Sequence, residues 1–193
     1  MLRLPDTIDT FTGVAFNYDH PEVNVADVAH GLAHICRFAG HVNRFISVAE
    51  HSVIVSRLAA RVDPTLALPA LWHDAHEAYI GDMPKPLKAK IGPAYAEVAH
   101  RIDCEVANLL GVDTWLLSSP IVKEADDQAA LFEAFRLKPH GGWLFAAFLN
   151  HDEVESVVNW ELGLTPTEAK RFFMYVNKHL MAREQSSRQH TAA

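Results

Sequence analysis

The stretch LWHDAHEAYIGDMPKP, residues 71–86, puts two histidines and three carboxylates inside ten positions of what otherwise reads as a buried helix. A solvated helix face would mix Lys and Arg with its acids. Between Leu71 and Met83 there is no basic residue except histidine. The pattern is that of a site, and its chemistry depends on which other parts of the chain reach it.

Outward from this stretch nearly everything reads as helix. Upstream, NVADVAHGLAHICRFAG (24–40) has Asn24 as cap, apolar residues at helical spacing and Gly40 as a stop. SVAEHSVIVSRLAARV (47–62) opens with Ser47 and Glu50 in capping-box order. The third pattern, PTLALPALWHDAHEAYI, runs from Pro64 with a kink or later start at Pro69, ends at Gly81, and gives way to a proline-stiffened loop, GDMPKPLK. Downstream, helices are predicted up to Gly111, from the Ser118-Ser119-Pro120 cap onward, over HDEVESVVNWEL (151–162), and after Thr165 with Glu168 as a second capping box. Before all of these, IDTFTGVAFNY (8–18), with Gly13 between β-formers, suggests a small hairpin. The expected architecture is an all-α bundle of six or seven helices in one domain, residues 1–183, with a disordered tail over 184–193.

Composition agrees. The 193 residues are 49% hydrophobic, enough for one sizeable core. The net charge of -7 argues against broad binding to duplex nucleic acid, which relies on many Lys and Arg neutralising phosphates. Cys36 and Cys104 lack CxxC spacing, so no disulfide framework or zinc knuckle is indicated. MLRLPDTIDTF lacks the apolar core of a signal peptide, and no apolar run approaches the roughly 20 residues that span a bilayer. A cytoplasmic protein without a membrane partner is expected. Apolar residues in GGWLFAAFL (141–149) fit either a homo-oligomer interface or burial in the monomer's own core.

Four residues stand out as inward-facing and ionisable. His51 shares a helix face with Val48 and Val55, Asp74 follows His73, and Asp126 lies on a stripe with Val122 and Ala129. Taken singly each has an ordinary reading: a hydrogen-bonded core histidine, a chance His-Asp pair, a surface acid beside Asp127. Taken together they leave buried carboxylates that need compensation. Two imidazoles and two carboxylates around one divalent cation would supply it, and such N/O donors suit Mn, Fe, Co, Ni or Zn.

The order H...HD...D, carried by His51, His73, Asp74 and Asp126, resembles the HD superfamily of metal-dependent phosphohydrolases. HDAHEAYIGDMPKPLK follows one branch in having a Glu three residues after the Asp, then Gly-Asp and a proline loop with lysine. VKEADDQAALFEA looks like its K-x-A-D segment, which favours Asp126 over Asp127. ADVAHGLAHICRFAGH and ISVAEHSVIVS are similar to segments of the 5'-deoxynucleotidases and, more closely, of small phage and prophage phosphohydrolases that include a dATP triphosphohydrolase. The likeness runs from about Thr10 to Leu137. It lacks the HD-x-x-E-D of the guanosine tetraphosphate hydrolases, since Ala78 follows Glu77, and the GYP of the cyclic-di-GMP hydrolases.

The resemblance implies one divalent metal on His51, His73, Asp74 and Asp126, and a nucleotide as substrate. It implies Glu77 as a non-ligating proton carrier and Asp82 as a second acid near the scissile phosphate or sugar. Phosphate and substrate contacts would come from Arg37, Phe38, His41, Lys85 and Lys88, with Arg44 a further candidate. Phe38 stands where the 5'-deoxynucleotidases carry tryptophan, and His76 is expected to line the pocket or cap a neighbour. Release of triphosphate from a dNTP, dATP first, is the leading expectation. Release of phosphate from a dNMP is the enzyme alternative, and a nucleotide sensor without turnover is the alternative of another class.

Overall fold

The computed structural model describes residues 6–140 and 146–191. A two-stranded antiparallel hairpin, β1 (Thr7–Asp9) and β2 (Ala15–Asn17), precedes nine α-helices among the described residues. These are α1 (Val25–His34), α2 (Val48–Val62), α3 (Ala67–Leu71), α4 (Glu77–Ile80), α5 (Lys85–Ile91), α6 (Pro93–Leu110), α7 (Pro120–Leu137), α8 (His151–Val157) and α9 (Pro166–Thr191). The hairpin turn passes through Gly13 at φ 82°, a left-handed conformation that glycine adopts without a Cβ penalty. No described helix is long and apolar enough to cross a membrane.

The bundle is built around α2. Every residue from Val48 to Ser56 is buried, so this helix is enclosed on all sides rather than amphipathic. Val48, Ala49 and Val53 join one core with Leu32, Leu71, Trp72 and Phe173. Ile54, Val55, Leu58 and Ala59 join a second with Val122, Phe132 and Val154. A helix enclosed in this way must satisfy its polar side chains internally. Ser52 and Ser56 donate to the carbonyls of Val48 and Ala67 at 2.9 and 2.7 Å. Glu50 accepts from Trp160 Nε1 at 2.9 Å and from the amides of Gly163 and Leu164. Ser47 caps the helix by accepting from the Glu50 amide, but Glu50 is drawn away to the segment before α9, so only half of the expected capping box forms.

Several local expectations are corrected: the helix expected to stop at Gly40 ends at His34, and that expected over 151–162 ends at Val157. The third helical pattern is not continuous: Trp72–His76 forms tight turns between α3 and α4, with Ala75 N bonded to Trp72 O and Glu77 N to Asp74 O. Here the His73 ring takes the Ala70 carbonyl at 2.8 Å, the acceptor that the Asp74 amide would use in an α-helix. The proline-stiffened loop winds into α5, because Pro84 and Pro86 fall at a helix start, where a missing N–H costs nothing. The tail expected to be disordered continues α9 through Thr191, where Arg188 donates to the carbonyls of Leu110 and Gly111 at the end of α6. Of the apolar stretch 141–149, residues 141–145 lie outside the described residues, and Phe148 is exposed.

α1 crosses α4 at Gly31, where an added Cβ would sit 2.9 Å from both Cβ and O of Ala78. Helix propensity alone would make Gly31→Ala stabilising by about 1 kcal/mol, whereas overpacking a close crossing costs about 1–3 kcal/mol. The expected outcome is a lowered denaturant midpoint. A raised midpoint would show that the two segments separate freely.

Candidate metal centre

α2, the turn after α3, and α7 deliver four side chains to one point. Single atoms of His51, His73, Asp74 and Asp126 all lie within 4.8 Å of one another. His51 Nε2 is 3.1 Å from Asp126 Oδ1 and 3.9 Å from Asp74 Oδ2, and His73 Nε2 is 3.0 Å from Asp74 Oδ2 and 4.0 Å from Asp126 Oδ1. Both Nε2 atoms are buried without a hydrogen-bond partner despite these short separations. They face the carboxylate oxygens as co-ligands do. Donors about 2.1 Å from one centre lie about 3.0 Å apart at right angles and about 4.2 Å apart when opposed, so these four residues could hold a metal ion.

The other ring nitrogens are committed. His51 Nδ1 is 2.8 Å from Glu133 Oε1, and His73 Nδ1 is 2.8 Å from Ala70 O, which puts each proton on Nδ1 and leaves Nε2 with its lone pair. Glu133, fully buried, also accepts from Arg37 Nε at 2.8 Å. The electrostatics point the same way. Burial pulls the His51 ring down and Arg37 adds to this, but Glu133 and Asp126 outweigh them and raise it to about 9. Burial pushes Asp74 up, yet His73 and His51 hold it well below the carboxylate range, and Asp126 is lowered by the same histidines against its own desolvation. The cluster favours positive charge at its centre, which a cation supplies in place of imidazole protons.

One flank of the cluster opens into a cavity of about 850 Å³. It is lined by Arg37, Phe38, His41, Glu77, Asp82, Lys85 and Lys88, so these sequence-predicted residues share one cleft with the candidate ligands Asp74 and Asp126. Arg44 is not among them; it pairs with Glu161 and with the Leu162 carbonyl. Arg37 enters the cleft from a segment where Phe38 and Ala39 adopt φ 56° and 51°. Left-handed non-glycine residues cost about 1–3 kcal/mol each and persist where surrounding structure enforces them. Phe38 lies under two cations, with Arg37 Cζ 5.4 Å and Lys138 Nζ 5.0 Å from its ring centroid.

Within the cleft, Glu77 is 1% exposed, and Lys88 Nζ donates to its Oε1 at 2.7 Å while Oε2 has no partner. Burial and the nearby Asp74 raise its carboxyl to about 7, against the pull of Lys88. Lys85 spans Asp126 and Asp127 at 3.5 and 2.5 Å. Both lysines come from α5, which buries none of its own residues. A second cleft of about 540 Å³ opens on another flank, between His76, His100, Asp103 and Trp115, and shares only Asp74 and Asp126 with the first. There His76 Nδ1 meets Asp103 Oδ1 at 2.9 Å, so His76 is a lining residue oriented by α6.

Two residues of the site have no role in the sequence reading, although Glu133 falls within the VKEADDQAALFEA segment. Glu133 follows Asp126 by seven positions on one face of α7, and this spacing was an available signal. Asp103 gives no local sign, because its partner is a long-range one.

No family model matches the chain. Over 122 residues it is 42% identical to the uncharacterized protein YfdR of Escherichia coli (strain K12), covering 62% of this chain and 65% of that protein. It is 39% identical over 122 residues to an uncharacterized protein of Rhodobacter capsulatus, covering 58% of this chain and 62% of that one. The match thus spans a little under two thirds of each relative's length.

If Glu133 orients His51, Glu133→Gln should weaken metal binding about 10- to 100-fold, read by competition with a chromophoric chelator. Unchanged affinity would remove Glu133 from the site. Asp126→Asn should lower metal occupancy far more than Asp127→Asn, since only Asp126 faces the two imidazoles. Equal losses would reassign the ligand.

Proposed function

We propose that this protein is an HD-type metal-dependent phosphohydrolase of nucleotides, acting on deoxynucleoside triphosphates with dATP as the first candidate. The observation that carries the reading is the pair of orphaned imidazole nitrogens facing two carboxylates at the end of a cleft that also holds Glu77 and cationic side chains. His51, His73, Asp74 and Asp126 would hold one divalent ion from the Zn, Co, Mn, Ni and Fe group. Once bound, that ion would supply Lewis-acid polarisation of a phosphoryl oxygen and a more acidic water.

The chain's own residues do the rest. Glu77 Oε2, buried and unpartnered, accepts the proton of the attacking water as the new P–O bond forms. The bond from phosphorus to the deoxynucleoside 5' oxygen breaks, and the same carboxyl returns the proton to that oxygen, giving deoxynucleoside and triphosphate. A carboxyl with an affinity for protons near neutrality suits both transfers. Lys85 and Lys88 are held at the cleft by carboxylates, and substrate phosphates would compete with those acids for the two ammonium groups. Arg37, fixed through Nε by Glu133, presents the remainder of its guanidinium to the cleft. Asp82, beside the same cleft, is assigned to the sugar or the scissile phosphate.

The test is hydrolysis by apo protein reloaded with Mn, Co, Zn, Ni, Fe or Mg, against dNTPs, dNMPs and NMPs, with products separated by chromatography. Deoxyadenosine and triphosphate from dATP are expected. Orthophosphate from dNMPs would move the substrate class to monophosphates, and binding without turnover in any combination would refute the enzyme. Glu77→Gln should lower kcat about 10²- to 10⁴-fold with metal content and KM nearly unchanged. A variant with wild-type kcat would sink the proton-carrier role.

A further inference from the structure

α1 and α9 pack side by side and bound an open groove of about 860 Å³, lined by Phe11, His30, His34, Lys170, Arg171 and Lys178 among others. None of its lining residues is shared with the two clefts at the metal cluster.

Its wall is an ordered stack. Phe11 lies on His30 at 3.8 Å and 13°, and His30 on His34 at 4.1 Å and 26°. Lys170 Nζ sits 3.9 Å from the Phe11 ring centroid and 3.5 Å from His30 Nδ1. The ammonium is therefore fixed by a ring face and an imidazole nitrogen, both uncharged. Elsewhere in this acidic chain cations are spent on carboxylates: Arg37 on Glu133, Lys88 on Glu77, Arg101 on Asp19, Arg136 on Glu155. Lys170, Arg171 and Lys178 form no ion pair with any described residue. Two carboxylates lie near the groove: Asp27 accepts from Thr12 and Asn24, and Glu168 accepts from Thr165 and is drawn on by Arg171. Burial first, then His34 and Lys170, disfavour a proton on His30 despite Asp27.

We infer that this groove is a second ligand site, remote from the metal cluster, that takes a small molecule through its phosphate groups. The ammonium held at Lys170, with Arg171 and Lys178 lining the same groove, matches a multiply charged anion with several oxygens better than a single carboxylate. The volume is that of small-molecule pockets. Since the site shares no residue with the metal cluster, it stands or falls separately from the hydrolase reading.

The experiment is calorimetric titration of inorganic pyrophosphate at low salt into the full, metal-free chain carrying Lys85→Ala and Lys88→Ala, which removes two cations of the candidate catalytic cleft and leaves Arg37 and Lys138 there. One equivalent is expected to bind. Adding Lys170→Met and Arg171→Met should weaken it by about tenfold or more, with an unchanged melting temperature. Phe11→Leu, which keeps every charge but frees Lys170, should also weaken it. Should the double Met variant lose its fold, Lys178→Met serves in its place, with a weakened titration expected. Undiminished affinity in the folded charge variant, or no binding at all, overturns the site. Equal binding of an acidic peptide overturns its assignment to phosphate.

Discussion

Glu133 is a carboxylate without solvent contact, and the candidate metal centre and the cleft both hang on it. It accepts from Arg37 Nε and from His51 Nδ1, each at 2.8 Å, so one side chain on α7 fixes a residue from the segment after α1 and another from α2. Burying such a charge costs several kcal/mol, and removing one partner of a buried pair costs about 3–5 kcal/mol. Burial favours the neutral acid, but Arg37 and His51 overcome it and hold Glu133 ionised. The return on that cost is directional: the His51 tautomer is set, its Nε2 faces Asp126, and Arg37 is held at the wall of the cleft.

Around this anchor the structure keeps two opposed requirements apart. The core clusters on either side of α2 exclude water, while the four candidate ligands and Glu77 concentrate charge at the edge of those clusters. Lysines from α5, a helix with no buried residues of its own, supply counter-charge to Glu77 and Asp126. α5 is tied to the site through these lysine–carboxylate pairs.

Much of the architecture was legible because caps and periodicity act locally. Asn24, Ser47 and Ser119 each accept from the amide three residues on, and Gly111 closes α6 at φ 65°, as their positions in the sequence imply. The H, HD and D residues were legible because an ionisable group on an apolar stripe demands a partner. What stayed hidden depends on distant atoms. The break at Trp72–His76 follows from the His73 ring taking a backbone acceptor. Glu50 leaves its capping box for amides more than 100 positions away, and α9 extends because Arg188 finds carbonyls at the end of α6. The Arg37–Glu133–His51 chain likewise joins residues 96 and 82 positions apart.

His51, His73, Asp74 and Asp126 are placed to form one metal centre with two imidazole ligands. X-ray absorption on protein reconstituted with Co(II) and dialysed tests it most directly, with the bound equivalents measured on the same sample. About one ion per chain is expected, ligated by nitrogen and oxygen only, with outer-shell scattering from two imidazoles at bond lengths of about 2.0–2.2 Å. A chain that retains no stoichiometric ion, or one whose ion shows no imidazole scattering, would contradict it.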